Sequence, residues 1–152
     1  NKRTMSAGQL FTVRQQSSTS LDPDELIIEI QIPELNSESS SEFMSGMGQS
    51  FLKFRIRKSI DFAIASVGVV FSLNSGLIAN SRLVLGAAAP MPIRITEAEQ
   101  FLNGKKPGDK TAEKAARIAV QTTSPLGSNR YKIQLFRALV KRAILTAAKH
   151  KD

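Results

Sequence analysis

Two apolar stretches joined by a short turn constrain the fold of this chain more than any other feature of its sequence. Residues 62–73 are rich in Val, Ile, Phe and Ala, and the first three of these favour β-strands. The turn follows as Asn-Ser-Gly at 74–76, where the glycine suits a backbone with positive φ. Residues 77–85 are apolar again and predict the returning strand. Residues 62–85 therefore predict a β-hairpin in the hydrophobic core.

The part before the hairpin contains two alternating segments and one stretch without a period. Within 26–32, Ile alternates with Glu and Gln, which predicts a half-buried strand that Pro33 ends. Residues 53–57 also alternate and are a second candidate strand. Residues 36–50 hold six Ser and two Gly, and they predict a flexible linker or a long loop.

A short helix is predicted soon after the hairpin. Thr96 and Glu99 fit a capping box, in which Thr96 is the N-cap and the Glu99 side chain reaches back to it. The helix then runs to Leu102, and Gly104 is suited to the C′ position that follows a helix end.

Two longer helices are predicted in the last third of the chain. Asp109 is expected to cap a helix over 110–121, whose small side chains form a narrow face able to sit close to a sheet. A final helix is expected over about 129–149, with a buried apolar stripe. The two faces consist of Ala112, Ala115, Ala116, Ala119 and Val120, and of Phe136, Leu139, Val140, Ala143 and Ala147.

The strands thus come first and the helices after them. This order predicts an α+β fold, with an antiparallel sheet of three to four strands and about three helices packed on one face. The length of 152 residues is that of one domain with a tail or linker.

The composition excludes several kinds of catalytic chemistry. The chain contains no Cys and a single His, His150, so thiol nucleophiles, Fe–S ligands, zinc sites and histidine-based triads are not expected. The longest apolar run, 62–73, is too short to span a bilayer. The net charge of +8 suits nucleic acid or a membrane surface, or it belongs to a basic domain that faces an acidic partner or no special partner.

The cations concentrate in one short stretch that also contains an isolated acid. Lys53, Arg55, Arg57 and Lys58 suit either a phosphate or acidic-partner contact or a solvated strand edge. Asp61 is expected to pair with a residue such as Arg57 or to accept backbone N–H bonds. A general-base role would require a second catalytic group, and the sequence offers none.

Five blocks in this order resemble one protein family. They are KFRIRKSIDFAIASV at 53–67, LVLGAAAPMPIR at 83–94, the helix and glycine stop within 97–105, the elements within 127–143, and LDPDELIIEIQIP at 21–33. The chain is similar to the C-terminal domain of the FAD-binding medium subunit of molybdenum hydroxylases. That family includes xanthine dehydrogenase and aerobic carbon monoxide dehydrogenase.

The resemblance implies a division of the chain and a role. Residues 1–35 would be the end of a preceding FAD-binding part, 36–50 a Ser/Gly-rich linker and 51–152 the C-terminal α+β domain. The chain would belong to a cytoplasmic oxidoreductase component that passes electrons from an Fe–S protein, through FAD, to a final acceptor. Its implied partners are the N-terminal FAD-binding part, a [2Fe-2S] subunit and a molybdopterin subunit, with no membrane.

The resemblance also implies a site. By position, Arg57, Ile60, Asp61 and Phe62 would lie in the vicinity of FAD. No catalytic residue and no metal ligand is expected, and the chain alone is expected neither to catalyse a reaction nor to bind FAD, because the family holds the FAD pyrophosphate in its N-terminal part. The alternative hypothesis is a basic binding module for nucleic acid or an acidic protein.

Overall fold

The computed structural model describes residues 2–14, 17–32, 47–58, 60–121 and 127–149. By its internal contacts the chain divides into two compact units, Asn1–Pro33 and Glu34–Asp152. The predicted end of the first strand at Pro33 and most of the predicted linker lie outside the described residues.

The first unit is small. It contains a helix, α1 (Ala7–Leu10), and an antiparallel pair of strands, β1 (Phe11–Arg14) and β2 (Ser17–Thr19). The predicted half-buried strand over 26–32 is wrong for this structure, because these residues form no strand and their aliphatic side chains are exposed. A strand requires a neighbouring strand for its backbone hydrogen bonds, and the described residues of this unit supply none to 26–32.

The second unit is built on an antiparallel sheet of four strands in the order β3–β4–β5–β6. The strands are β3 (Met47–Phe54), β4 (Ala65–Asn74), β5 (Leu77–Gly86) and β6 (Ile93–Arg94). The predicted hairpin is confirmed as β4 and β5, although β4 begins at Ala65 rather than at 62. Strand β3 begins inside the predicted linker and ends at Phe54, so the alternating residues 55–57 do not continue it.

An extra residue in β5 keeps its apolar side chains in the core. Val70 pairs with Arg82 and Ser72 with Ala79, so two residues of β5 face one residue of β4. Asn80, in this bulge, has a φ of 51°. Such a bulge shifts the alternation by one residue. The inward side chains therefore change from even to odd positions along β5, and those buried are Ile78, Ser81, Leu83 and Leu85.

Three helices follow the sheet in the described part of this unit: α2 (Thr96–Leu102), α3 (Asp109–Gln121) and α4 (Tyr131–Ala147). Helix α4 packs on β3 and β4, and α2 packs on β5. The sheet's opposite face carries partly exposed side chains such as Phe51 and Val84. This confirms the predicted α+β fold with helices on one face of the sheet.

The alanine face of α3 has a different neighbour from the one expected. Its four alanines are fully buried, but α3 packs mainly against α2 and α4 rather than on the sheet. Glu113 of α3 binds Arg137 and Lys141 of α4, and Lys141 also binds Asp109 at 3.0 Å. Asp109 is the first residue of α3, so its carboxylate joins two helices instead of serving as the expected N-cap.

The predicted capping box at Thr96 and Glu99 is also wrong. Ile95 occupies the N-cap position of α2. The buried carboxylate of Glu99 instead accepts the backbone N–H of Leu83 at 2.9 Å and the guanidinium of Arg94 at 2.8 Å. Glu99 thus accepts the hydrogen bond of a β5 backbone N–H that lies just beyond the pairing of β5 with β6.

Strand β3 and helix α4 approach each other closely at a glycine. A methyl group on Gly48 would lie 2.4 Å from the carbonyl oxygen of Ala147 and 3.0 Å from the ring of Phe71. Glycine at 48 is therefore a requirement of backbone packing between β3 and α4, not a sign of a flexible linker.

Candidate functional site

The four candidate site residues lie in the loop that joins β3 to β4. The strand pairing ends at Phe54 opposite Ala65, and the N–H of Ile64 donates to the carbonyl of Phe54 at 2.9 Å. The loop between them, described at 55–58 and 60–64, leaves and re-enters the sheet at the same end. Arg57, Ile60, Asp61 and Phe62 are therefore brought together, as their closeness in sequence predicts.

Asp61 organises this loop. Its carboxylate accepts the backbone N–H of Arg57 at 3.1 Å and that of Phe62 at 2.9 Å. The Arg57 guanidinium lies 3.3 Å from the same carboxylate. Lys53 adds a bond from its ammonium to the Asp61 carbonyl at 3.2 Å. The expectation that Asp61 pairs with Arg57 and accepts backbone N–H bonds is confirmed.

The electrostatics of Asp61 are those of a structural carboxylate. The Arg57 guanidinium and then the Arg57 backbone N–H lower the pKa of Asp61 below its ordinary value of 3.8. A general base near neutral pH requires a pKa near the working pH. Asp61 is therefore suited to fixing the loop and not to accepting a proton from a substrate.

The loop presents apolar side chains to solvent on either side of this anchor. Ile60 is 101% exposed, Phe62 is 93% exposed and Ile56 is 81% exposed. Neighbouring cations, Lys58 and Arg57, are exposed as well. Exposed aliphatic and aromatic groups beside positive charge, in a loop that Asp61 links by hydrogen bonds, are typical of a surface that contacts another molecule.

A second loop at the same end of the sheet was not among the candidate site residues predicted from the sequence. Gly86 pairs with Ser66, the second residue of β4, and a methyl group at Gly86 would lie 2.4 Å from the Ser66 hydroxyl oxygen. Ala87 has a φ of 59°, and its carbonyl accepts the ammonium of Lys132 at 3.1 Å. The sequence signals were the run of small residues at 86–89 and the family-like block at 83–94 that contains it, and neither indicates the contact with α4.

Part of the positive charge of the helical layer is paired within the fold. Two cations of α4, Arg137 and Lys141, are bound to Glu113 and Asp109 of α3. They therefore hold two helices together. The basic stretch 53–58 lies instead at the end of β3 and in the loop that follows it.

Metal and membrane sites find no support in the described residues. The Asp and Glu side chains among the described residues form no group of three or more able to hold a metal ion. None of the helices in the described ranges has the length and apolar character needed to cross a membrane.

A protein-family model described as the CO dehydrogenase flavoprotein C-terminal domain matches residues 49–147. The chain belongs to this family. The match covers the sheet from β3 onward, the Asp61 loop and all of the helical layer, and it excludes the first unit.

Curated relatives extend the similarity to nearly the whole chain. The nicotine 6-hydroxylase medium subunit of Paenarthrobacter nicotinovorans is 30% identical over 96% of this chain and 48% of its own length. The putative xanthine dehydrogenase FAD-binding subunit of Escherichia coli K12 is 26% identical over 84% of this chain and 43% of its own length. The chain therefore spans less than half the length of these relatives.

Solved structures agree with the family and the fold. A carbon monoxide dehydrogenase from Hydrogenophaga pseudoflava superposes with a TM-score of 0.66 at 30% identity, covering 72% of this chain and 39% of that one. Quinoline 2-oxidoreductase from Pseudomonas putida 86 superposes with a TM-score of 0.63 at 29% identity, over 68% and 37% of the two chains. These similarities support the flavoprotein hypothesis and not the nucleic-acid alternative.

Proposed function

We propose that this chain is the C-terminal domain of the flavoprotein component of a molybdenum hydroxylase-type oxidoreductase, and that its Asp61 loop packs beside FAD. The observation that carries the proposal is the loop itself, in which Asp61 fixes the backbone while Ile60 and Phe62 remain exposed. In the complete subunit, the FAD would accept electrons from an Fe–S partner and pass them to the final acceptor.

The residues present fit one part of FAD and not the rest. Exposed Phe62 and Ile60 suit the apolar face of a flavin ring, and the neighbouring cation Arg57 suits its electron-rich edge. The chain contains no glycine-rich phosphate loop to hold the pyrophosphate. We therefore assign the grip on FAD to the part that the relatives carry beyond this chain, and its contact with this domain to residues 57–62.

The same proposal covers the organisation of the subunit. The first unit, Asn1–Pro33, would complete the FAD-binding part, and the domain beside the flavin would begin with β3 at Met47. A [2Fe-2S] subunit and a molybdopterin subunit would be its partners in a cytoplasmic complex. The isolated 152-residue chain would have no oxidoreductase activity of its own.

The proposal is tested by replacing Arg57 in the complete subunit and measuring the flavin reduction potential. An exposed charge contributes up to about 1 kcal/mol, which equals roughly 20 mV for a two-electron couple. Arg57→Ala should therefore lower the potential by up to about 20 mV, because a cation stabilises the more negative reduced flavin. Arg57→Lys should retain most of the potential.

A control removes the same charge at the other end of the sheet. Lys149 is exposed and follows Ala147, whose carbonyl lies against Gly48 near the start of β3. Lys149→Ala should leave the potential and the kinetics with the electron acceptor unchanged. Equal effects of Arg57→Ala and Lys149→Ala, or no effect of either, would refute the assignment of the loop to the flavin. Quenching of FAD fluorescence by the isolated chain at micromolar concentration would refute the division of labour.

A further inference from the structure

The residue that ends helix α2 carries a side-chain amide and is followed by a glycine. Asn103 and Gly104 are the only Asn-Gly pair in the chain. Both residues are exposed, and a methyl group on Gly104 would meet no atom within 4 Å. Asparagine is a thermolabile residue. Its side-chain amide is lost most readily before glycine, because no side chain on the next residue obstructs the approach of the backbone nitrogen to Cγ.

This deamidation uses only the two residues and water. The Gly104 nitrogen attacks Cγ of Asn103, so that a new N–C bond forms and the bond from Cγ to the amide nitrogen breaks. Ammonia leaves with the proton that the Gly104 nitrogen loses, and a five-membered cyclic imide remains. Water then opens the imide at either carbonyl. The product is aspartate or isoaspartate, in which the backbone runs through the former side chain.

The native backbone holds the attacking nitrogen away from its target. The Gly104 N–H donates to the Ile78 carbonyl at 2.7 Å, and the Ile78 N–H donates to the Lys105 carbonyl at 2.9 Å. Asn103 has a ψ of 132°, an extended value that directs the Gly104 nitrogen away from the Asn103 side chain. Closure of the ring therefore requires a large rotation about the Cα–C bond of Asn103, and this rotation breaks the hydrogen bond to Ile78.

The side chain of Asn103 is held as well, by Ser81 of β5. The Ser81 N–H donates to Asn103 Oδ1 at 3.1 Å, and the Ser81 hydroxyl lies 2.9 Å from that oxygen and 2.9 Å from the Glu99 carbonyl. Ser81 is buried, whereas residues 103–106 are exposed. Both reacting groups are thus bound to β5 from an exposed loop, and a local opening of this loop frees them.

We propose that Asn103 is a deamidation site controlled by the contact between β5 and the loop that joins α2 to α3. The site is stable while the contact is closed and reacts when the loop opens. Isoaspartate adds one atom to the backbone between Asn103 and Gly104. The N–H of Gly104 and the carbonyl of Lys105 then no longer match Ile78, so the reaction makes the opening permanent.

This site is independent of the proposed flavin contact. Ile78 lies beside the turn of the β4–β5 hairpin, where Asn74 pairs with Leu77. The Asp61 loop is at the opposite end of β4, beyond Ala65. The fate of Asn103 therefore tests nothing about FAD, and the flavin content of the subunit does not affect the inference.

Peptide mass spectrometry of the complete subunit tests the proposal. Trypsin cleaves after Arg94 and Lys105, so residues 95–105 form one peptide in which Asn103 is the only asparagine. The subunit and the free peptide are incubated at mildly alkaline pH, and the fraction that has gained the mass difference between an amide and a carboxylic acid is followed over time. We expect the folded subunit to react more slowly than the free peptide by about tenfold or more. Equal rates would overturn the proposal.

Hydrogen–deuterium exchange at Gly104 measures the same opening, because its amide exchanges when the bond to Ile78 breaks. The fold should slow this exchange and the deamidation by factors that agree within about tenfold. In deamidated molecules, the amide of Ile78 should exchange faster than in intact ones. A subunit whose Gly104 exchanges freely while Asn103 never reacts would overturn the proposal, and so would deamidated molecules whose Ile78 remains protected.

Two serine substitutions separate the contact at Asn103 from general stability. Ser81→Ala removes the hydroxyl beside Asn103, whereas Ser72→Ala removes a buried hydroxyl that donates to the Ala79 carbonyl in the same hairpin. Ser81→Ala should accelerate the deamidation of the folded subunit by about 3–10-fold, and Ser72→Ala should leave its rate unchanged. Equal acceleration in the two variants would overturn the assignment of control to this contact.

A third variant confirms the reacting residue without disturbing the fold around Ser81. Asn103→Gln keeps a side-chain amide, but its ring closure would give a less favourable six-membered ring. The mass gain of the 95–105 peptide should therefore disappear. A mass gain that persists in Asn103→Gln would place the reaction at Gln100, the other amide of the native peptide, and would overturn the proposal.

Discussion

Replacing Arg94 by Met should destabilise the second unit more than replacing the buried acid that Arg94 binds. Glu99 is only 4% exposed, whereas the Arg94 side chain is 49% exposed. Removal of the arginine leaves a buried carboxylate without its charge partner, a change that typically costs 3–5 kcal/mol. Glu99 would still accept the N–H of Leu83, so we expect a loss near the lower limit, about 3 kcal/mol. Methionine retains the packing of the arginine stem.

The substitution Glu99→Gln should be milder. Its amide oxygen can still accept the Leu83 N–H, and the freed Arg94 is exposed enough to be hydrated. The difference between a charged and a neutral hydrogen bond is about 1 kcal/mol. The double variant, which carries both Arg94→Met and Glu99→Gln, should then lose only about 1–2 kcal/mol of unfolding free energy, because no buried charge is left without a partner. We therefore expect the double variant to be more stable than Arg94→Met alone.

Urea unfolding followed by far-ultraviolet circular dichroism measures these differences, since the chain has no Trp and a single Tyr. The midpoint should shift without a change in the slope of free energy against denaturant. A loss below about 0.5 kcal/mol for Arg94→Met would refute the reasoning. Additive losses in the double variant would refute it equally, because they would show that the carboxylate does not depend on the arginine.

Two further changes probe the packing and the charges of the second unit. Gly48→Ala should lower the free energy of unfolding by about 1–3 kcal/mol, because the added methyl group would lie 2.4 Å from the Ala147 carbonyl oxygen. Gly68→Ala is the matched control in the same unfolding measurements, because the nearest atom to its added methyl group would be a ring carbon 4.0 Å away. Arg137 and Arg117 lower the pKa of Glu113 from 4.5 to about 2, so its contribution to stability is present above pH 4.5 and is lost as the pH falls towards 2. Glu113→Gln should reduce the dependence of the unfolding free energy on pH across this range, whereas Glu97→Gln, at an exposed position, should not. An equal pH dependence in the two variants would contradict the assignment of this effect to Glu113.

The elements that the sequence predicts well are those whose signal is local. In the turn at 74–76, Gly76 has the positive φ that its residue type predicts, and Gly104 has the positive φ expected after α2; Ser75 also has a positive φ, which its residue type does not indicate. The buried stripes of α3 and α4 follow from helical spacing. The link between Arg57 and Asp61 was also predictable, because they are only four positions apart within one short loop.

The errors share a physical cause, which is that the deciding partner lies far away in the chain. The spacing of Thr96 and Glu99 matches a capping box, but the backbone N–H of Leu83 and the Arg94 guanidinium compete successfully for the carboxylate. Gly48 occurs among serines and glycines that suggest a linker, yet it permits close contact with α4. Local composition carries no information about either neighbour.

The exposure of apolar residues is the part of the site that only the structure reveals. From the sequence, Phe62 and the isoleucines of 26–32 were both expected to be buried in strands. In the structure Phe62 is 93% exposed and Ile30 is 81% exposed. Strand propensity indicates that such residues are suited to burial, but it does not say which surface covers them. Strand propensity therefore leaves the covering surface open at both places, and the flavin contact proposed above for residues 57–62 would supply it at Phe62.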